Sequence, residues 1–329
     1  MTPTPFGTLP DGRTVHALTL TGGGLTARVL TLGATVQDLR MEGVDHPLVL
    51  GFDDLAPYLA EGCYFGALVG RFANRIGGAG FTLDGREYRT DANFRGRHTL
   101  HGGTEGTHAQ IWQVAAQRAD AVLLVLDLPD GHMGFPGNLR ITVRISLGKR
   151  ALRLSLRAET DAPTPCSLAH HGYFDLDGRG DIRGHQLEIA ADHYLPIDDD
   201  LIPAGPPAPV AGTAFDFRRP RLIGPGGYDH NFCLSDGLAP LRDIARLTGS
   251  AGIAMTVATT ACGLQFYDGA GMSDLGGLDG RRYGPFAGVA LETQGWPDAP
   301  NRPDFPDSIL RPGQIWTAET HYRFAPVPA

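Results

Sequence analysis

Acids, imidazoles and guanidinium groups become chemically useful when held among apolar or glycine-rich neighbours, where water no longer levels their proton affinities. Five stretches of this 329-residue chain have that character. Gly70–Gly78 carries Arg71, Asn74 and Arg75, and His98–Gly103 carries His98 and His101. His170–Leu176 opens on two adjacent histidines. Gly227–Phe232 holds Asp229 and His230, and Leu291–Asp298 holds Glu292 directly after the apolar run Ala287–Leu291. These are the types that move protons. The histidines could also ligate a metal, with His98 and His101 three residues apart and His170, His171 and His230 elsewhere. Against the metal, no H-E-x-x-H or cupin-like histidine–carboxylate spacing occurs, and the histidines sit in unrelated contexts.

Each stretch also has a plain structural reading. Arg71 or Arg75 can pair with a surface acid, and His101, before two glycines, can serve a turn. His170 and His171 face opposite ways if they lie on a strand, so at most one lines a given pocket. An acid after an apolar run usually marks a strand's exit into solvent, which is the ordinary reading of Glu292.

The elements that must position these groups are strands. Leu139, Ile141, Val143, Ile145 and Leu147 alternate with Arg140, Thr142, Arg144 and Ser146, and Leu152–Glu159 resumes the alternation after Gly148-Lys149-Arg150. That pattern predicts a long antiparallel hairpin with one charged and one buried face. Leu18–Leu20, a turn at Thr21–Gly24, and Leu25, Ala27 and Val29 repeat it near the start. Val122–Leu128 reads as a strand buried on both sides. Helical signals are confined to one turn over Asp53–Leu59 and a weak candidate over Leu238–Leu247. No amphipathic run of 12 or more residues survives the 45 glycines and 25 prolines. With no repeat, linker or composition break, one all-β domain of two packed antiparallel sheets follows, spanning residues 1–329.

Composition narrows the function classes. Net charge is −8 and no run of Lys or Arg occurs, which speaks against a nucleic-acid partner. The opening residues lack a basic segment followed by an apolar one, and no stretch of about 18 apolar residues exists, so neither a signal peptide nor a membrane span is expected. Cys63, Cys166, Cys233 and Cys262 are scattered without C-x-x-C, which predicts reduced thiols in a cytoplasmic protein.

At the chemistry-bearing stretches the chain resembles the galactose mutarotase (aldose 1-epimerase) family. G-R-x-A-N-R-I stands at Gly70–Ile76, L-H-G-G at Leu100–Gly103 and G-x-x-G-Y/F-P-G-N-L at Gly131–Leu139. Y-L-P-x-D…L-I-P-x-G spans Tyr194–Gly205. GYDHNFCL fills Gly227–Leu234, followed by Leu264–Asp268, LETQ-x-x-P-D-x-P-N-x-P at Leu291–Pro303, and Leu310–Gly313. The motifs run in family order from about Val29 to Thr317. One stretch departs: the family's N-H-S-Y-F-N-L is His170-His171-Gly172-Tyr173-Phe174-Asp175-Leu176 here. Tyr173-Phe174 fix the register, so His171 takes the family's histidine position and His170 replaces an asparagine, which bears on sugar preference.

The resemblance implies a large antiparallel β-sandwich of the galactose-mutarotase type (supersandwich) with a sugar cleft on one sheet. It implies an isomerase that interconverts the α and β anomers of a free aldose such as galactose or glucose, with no cofactor and no metal. Glu292 matches the general base, His171 the general acid and His101 the second active-site histidine. Arg75 and Asp229 match the groups that hold sugar hydroxyls, with Asn74 and Gln265 as neighbours. Pairing of Glu292 with His171 is expected to raise the imidazole's pKa and keep the carboxylate ionised. Trp296 offers a ring for the sugar's C–H face or for packing. A monomer or homodimer with a monosaccharide as partner, and no nucleic acid or membrane, completes the expectation. Two alternatives stand beside it: a non-catalytic sugar-binding or regulatory module on the same fold, and a hexose-6-phosphate 1-epimerase. The second needs a cationic phosphate pocket, for which only Arg75 is clearly placed. Glycosidase chemistry would need a second carboxylate paired with Glu292, and none is evident.

Overall fold

The structure is a computed structural model and describes residues 3–327; the outermost ends of the expected 1–329 domain, residues 1, 2, 328 and 329, lie outside the described residues. Strands dominate, and the described helical segments are 3₁₀ turns. A nine-stranded antiparallel sheet runs in the spatial order Gln113–Gln117, Ala121–Leu128, Leu139–Gly148, Ala151–Thr160, Trp316–Pro326, Ile253–Thr259, Arg242–Thr248, Gln186–Ile189, Arg221–Leu222. Opposite it lie a four-stranded sheet (Thr4–Thr8, Thr14–Gly22, Leu25–Leu30, Val36–Met41) and a six-stranded sheet. The latter is ordered Tyr173–Phe174, Val289–Gln294, Gly263–Tyr267, Asp229–Cys233, His193–Tyr194, Ala208–Pro209.

One apolar core joins the three sheets. Ile141, Val143, Leu154 and Leu156 of the large sheet share it with Leu20, Ala27 and Val29 of the four-stranded sheet and with Phe232, Leu264, Phe266 and Leu291 of the six-stranded one. Two-residue alternation drives this arrangement: each strand commits one face to the core and frees the other. The expected hairpin forms with Leu139 opposite Thr160 and Gly148 opposite Ala151. The four cysteines are free.

Three expectations need correction or refinement. Leu238–Leu247 is not helical: Arg242–Thr248 is a strand between Gln186–Ile189 and Ile253–Thr259. A register shift between Asp243 and Ala245 lets Ile244 and Ala245 both be buried, which breaks the alternation and imitates helical spacing with Leu247. Val122–Leu128 is not buried on both sides. Val122, Leu124, Leu126 and Leu128 enter the core, but Leu123 is half-buried and Asp127 is exposed, 3.0 Å from Arg140 on the next strand. The turn expected over Asp53–Leu59 is a 3₁₀ turn at Ala56–Leu59. Among the described residues no helix is long and apolar enough to cross a membrane.

Candidate active site

The six-stranded sheet turns Val289, Leu291, Phe232, Leu264 and Phe266 into the core. Strand alternation therefore sends Ala290, Glu292 and Gln294 to its other face. Asn231, Gln265 and Glu292 are direct cross-strand partners, so their side chains stand in one row. Glu292 is only 2% exposed, and its solvent-exit reading fails. The strand does not end there; it continues to Gln294 under the loops that carry His101 and His171.

His171 reaches Glu292 from the edge of the six-stranded sheet. Its backbone N–H donates to Ala67 C=O at 2.9 Å, and its Nε2 lies 3.6 Å from Glu292 Oε1. His170 faces the other way, into the sandwich, with Nδ1 3.3 Å from the Tyr322 hydroxyl. The two histidines thus split between faces, as strand geometry requires.

Asn74 and His101 form a reciprocal clamp. The Asn74 N–H donates to His101 Nδ1 at 3.0 Å, and the His101 N–H donates to Asn74 C=O at 2.9 Å. Both residues sit at positive φ, 65° and 53°, where asparagine is among the better tolerated side chains. The following Gly102 is required: a Cβ there would lie 2.1 Å from the Gly70 carbonyl oxygen. The Asn74 side-chain oxygen accepts from Arg75 N–H at 2.9 Å and Nη1 at 3.3 Å, which aims the guanidinium. Arg75 is buried, pairs with Asp229 at 2.9 Å and stacks over Phe94. Gln265 Nε2 donates to the second Asp229 oxygen at 2.6 Å. All seven expected site residues therefore meet in one cluster, although Arg75 and Asp229 stand 154 positions apart.

Electrostatics depart from the sequence expectation. Burial pushes the Glu292 carboxyl up to about 8, reinforced by the Asp229 charge and opposed by Arg75. Burial holds the His171 imidazole down to about 4. Pairing does not win because both groups lie within a few per cent of full burial, and Arg75 gives its charge first to Asp229. His101 is held well below the ordinary imidazole value by burial, then by His171 and Arg75.

His101, His171 and Glu292 offer ligand atoms within 4.8 Å of one another, a set of the two-histidine, one-carboxylate kind. Its fit to a metal fails at His101. Because His101 Nδ1 accepts a backbone N–H, the neutral ring carries its hydrogen on Nε2, which makes that atom a donor instead of a lone-pair ligand. His98 and His230 are likewise engaged elsewhere, accepting the N–H of Gly78 at 3.0 Å and of Asp229 at 3.2 Å.

Arg71 and Trp296 take structural places. Arg71, 1% exposed, has no carboxylate partner among the described residues and donates to the Pro136 and Gly137 carbonyls at 2.8 Å, against the surface-pairing expectation. Trp296 donates from Nε1 to Cys262 C=O at 3.0 Å and packs edge-on to Phe305, so its ring serves packing. Sequence reasoning missed Asn231, Tyr173 and Tyr64. Alternation in Asp229–Cys233 was the signal for Asn231, which shares a face with Asp229. Tyr173 lies two residues after His171, its ring 4.9 Å away. Tyr64 had no local signal at all.

Comparisons with known proteins place this geometry among relatives. A family model described as aldose 1-epimerase matches residues 16–323. The chain is 40% identical to galactose mutarotase of Rattus norvegicus over 99% of this chain and 98% of that protein. It is 38% identical to aldose 1-epimerase of Escherichia coli (strain K12), covering 96% of each. Among solved structures, a GalM/aldose epimerase homologue from C. elegans superposes with a TM-score of 0.90 at 29% identity, over 95% of this chain and all of that one. Galactose 1-epimerase from Lactobacillus acidophilus NCFM follows with a TM-score of 0.86 at 26% identity, over 99% of each.

Proposed function

The chain belongs to the aldose 1-epimerase family, and from that premise we propose that Glu292 and His171 open and reclose the hemiacetal ring of a free aldose such as galactose or glucose. The protein is an aldose 1-epimerase, an isomerase that interconverts α and β anomers. The observation that carries the residue assignment is the buried, facing pair of His171 Nε2 and Glu292 Oε1, 3.6 Å apart beside the Arg75–Asp229–Gln265 network.

Ring opening requires removal of the anomeric O1 proton and delivery of a proton to the ring oxygen. Glu292 accepts the first and His171 supplies the second, each contributing typically about 10²–10⁴-fold. The open aldehyde rotates about C1–C2, and closure on its other face runs the same transfers backwards. The C1–O5 bonding pair passes to the ring oxygen as the carbonyl forms, so nothing is oxidised or reduced and no covalent enzyme adduct is needed. Burial favours the neutral pair, with the single proton on Glu292; the competent arrangement is its charge-separated tautomer, with that proton on His171 and Glu292 bare. His101 presents an Nε2–H to a sugar oxygen. Arg75, aimed by Asn74, donates to vicinal hydroxyls while Asp229, steadied by Gln265, accepts from them. This grip lets C1 swing while the rest of the ring stays fixed.

We take residues 1–329 as one such domain in a cytoplasmic protein that works without metal or cofactor. A hexose-6-phosphate substrate gains no support, because Arg75 is already committed to Asp229. Polarimetry on freshly dissolved pure α-aldoses tests the reading; rates indistinguishable from the spontaneous ones across galactose, glucose, xylose and arabinose would favour the binding-module alternative.

A further inference from the structure

An imidazole that transfers protons is ordinarily oriented by a hydrogen bond to its second nitrogen. Among the described residues His171 has none: its Nδ1 is buried without a partner. Aromatic rings surround it instead. Tyr64 stacks on the imidazole with centroids 5.8 Å apart and planes 21° apart, Tyr173 lies tilted at 4.9 Å, and His101 meets it edge-on at 5.2 Å.

Tyr64 is the ring that lies nearest to parallel with the imidazole, and other rings hold it there. His101 and His108 abut it edge-on at 4.8 Å and 4.7 Å, so it is wedged between three imidazoles. Its loop is tied to the His171 main chain from both sides. The Gly66 N–H donates to His171 C=O at 2.9 Å, and the His171 N–H donates to Ala67 C=O at 2.9 Å. Gly66 sits at φ +69°, where a Cβ would lie 2.2 Å from the Val36 carbonyl oxygen, so the loop passes too close to that strand for any side chain there. The same short segment thus holds the His171 backbone and sets a near-parallel ring beside its imidazole.

We infer that Tyr64 is a positioning residue for the proton-donating histidine, acting through its ring face and not through its hydroxyl. The inference rests on the reading of His171 as the acid. A flat π-face parallel to an imidazole blocks its rotation, and it attracts the imidazolium once the ring is protonated. Misplacement of a proton donor by about 1 Å can cost about 10²-fold in rate, so a modest loss of order is visible in turnover.

The test uses the full chain with Tyr64→Leu and Tyr64→Phe. The Leu variant should lower kcat at least about tenfold with KM within about twofold, while the Phe variant, which keeps the ring, should retain at least about half of kcat. Carbon relaxation of histidine-labelled protein provides a readout independent of activity, since ring order, unlike resonance position, does not change merely because the Tyr64 ring current is gone. The His171 ring order parameters should fall in Tyr64→Leu and stay near their original values in Tyr64→Phe. If a thermal melt shows the Leu variant unfolded, Tyr64→Met serves in its place. Unchanged His171 ring order in the Leu variant, or equal loss of kcat in both variants, would overturn the proposal. Lowered ring order with full turnover would instead uphold the positioning of His171 and sink its role as the acid.

Discussion

His171 Nε2 and Glu292 Oε1 face each other at 3.6 Å with both side chains almost sealed from solvent, and that enclosure reverses the charge state their pairing would otherwise favour. Between them the two groups hold one proton over most of the accessible pH range. The consequences below follow from that shared proton and from the polar network beside it.

The pH profile of kcat/KM should be bell-shaped with limbs near about 4 and about 8, wider than two unperturbed groups would give. Below the lower limb both groups carry protons and no base remains; above the upper limb both have lost them and no acid remains. The limbs belong to the pair and not to single residues. His171→Asn, followed on its residual rate, should lose one limb. A complete bell in that variant would assign the acid to another group, His101 first.

Glu292→Gln should reduce kcat by at least about 10²-fold, because the amide keeps the shape but accepts no proton from O1. Its effect on stability has a definite sign. The native carboxyl titrates at about 8 against an ordinary value of 4.5, so native Glu292 contributes stability fully below about 4.5 and loses it as pH rises through about 8. The amide escapes this loss of up to about 1.4 kcal/mol per pH unit. Thermal melts should therefore coincide near pH 4.5 and favour the variant increasingly towards pH 8. A variant less stable at pH 8 would contradict the raised value that burial gives Glu292.

Asp229→Asn should raise KM several-fold, since a hydroxyl acceptor becomes an amide. It should also lower the alkaline limb: Asp229's charge raises the Glu292 value, and Arg75, freed from its partner, adds a stabilising cation. A limb that stays at about 8 would mean that Asp229 does not act on Glu292. Initial rates across pH and sugar concentration measure both effects.

Exhaustive dialysis against EDTA should leave turnover unchanged, because His101 presents a hydrogen and not a lone pair towards His171 and Glu292. A loss of rate restored by one divalent ion would require the His101 ring to have flipped its hydrogen to Nδ1 and given up the Asn74 contact.

His170→Asn should change kcat little. The ring faces Tyr322 inside the sandwich, away from Glu292, and its own nitrogen Nε2 has no partner to lose. A dead His170 variant with an active His171 variant would exchange the two assignments.

Much of this was legible from residue order alone. Period-two alternation specified the Leu139–Thr160 hairpin and its faces, and adjacency on a strand dictated that only one of His170 and His171 could join Glu292. Resemblance of the ordered motifs to the aldose 1-epimerase family brought Asn74, Arg75, His101, Asp229 and Gln265 into one site on paper; alternation by itself encodes only which face of its own strand a side chain takes. Tertiary structure alone decided the rest. The strand at Arg242–Thr248 hid behind a bulge, and Trp296 went to packing once Cys262 C=O lay within reach. Tyr64 entered the site through a loop with no pattern of its own. Above all, burial set the proton affinities of Glu292 and His171. Desolvation depends on how loops and strands from distant parts of the chain close over a group, and no local stretch of sequence carries that information.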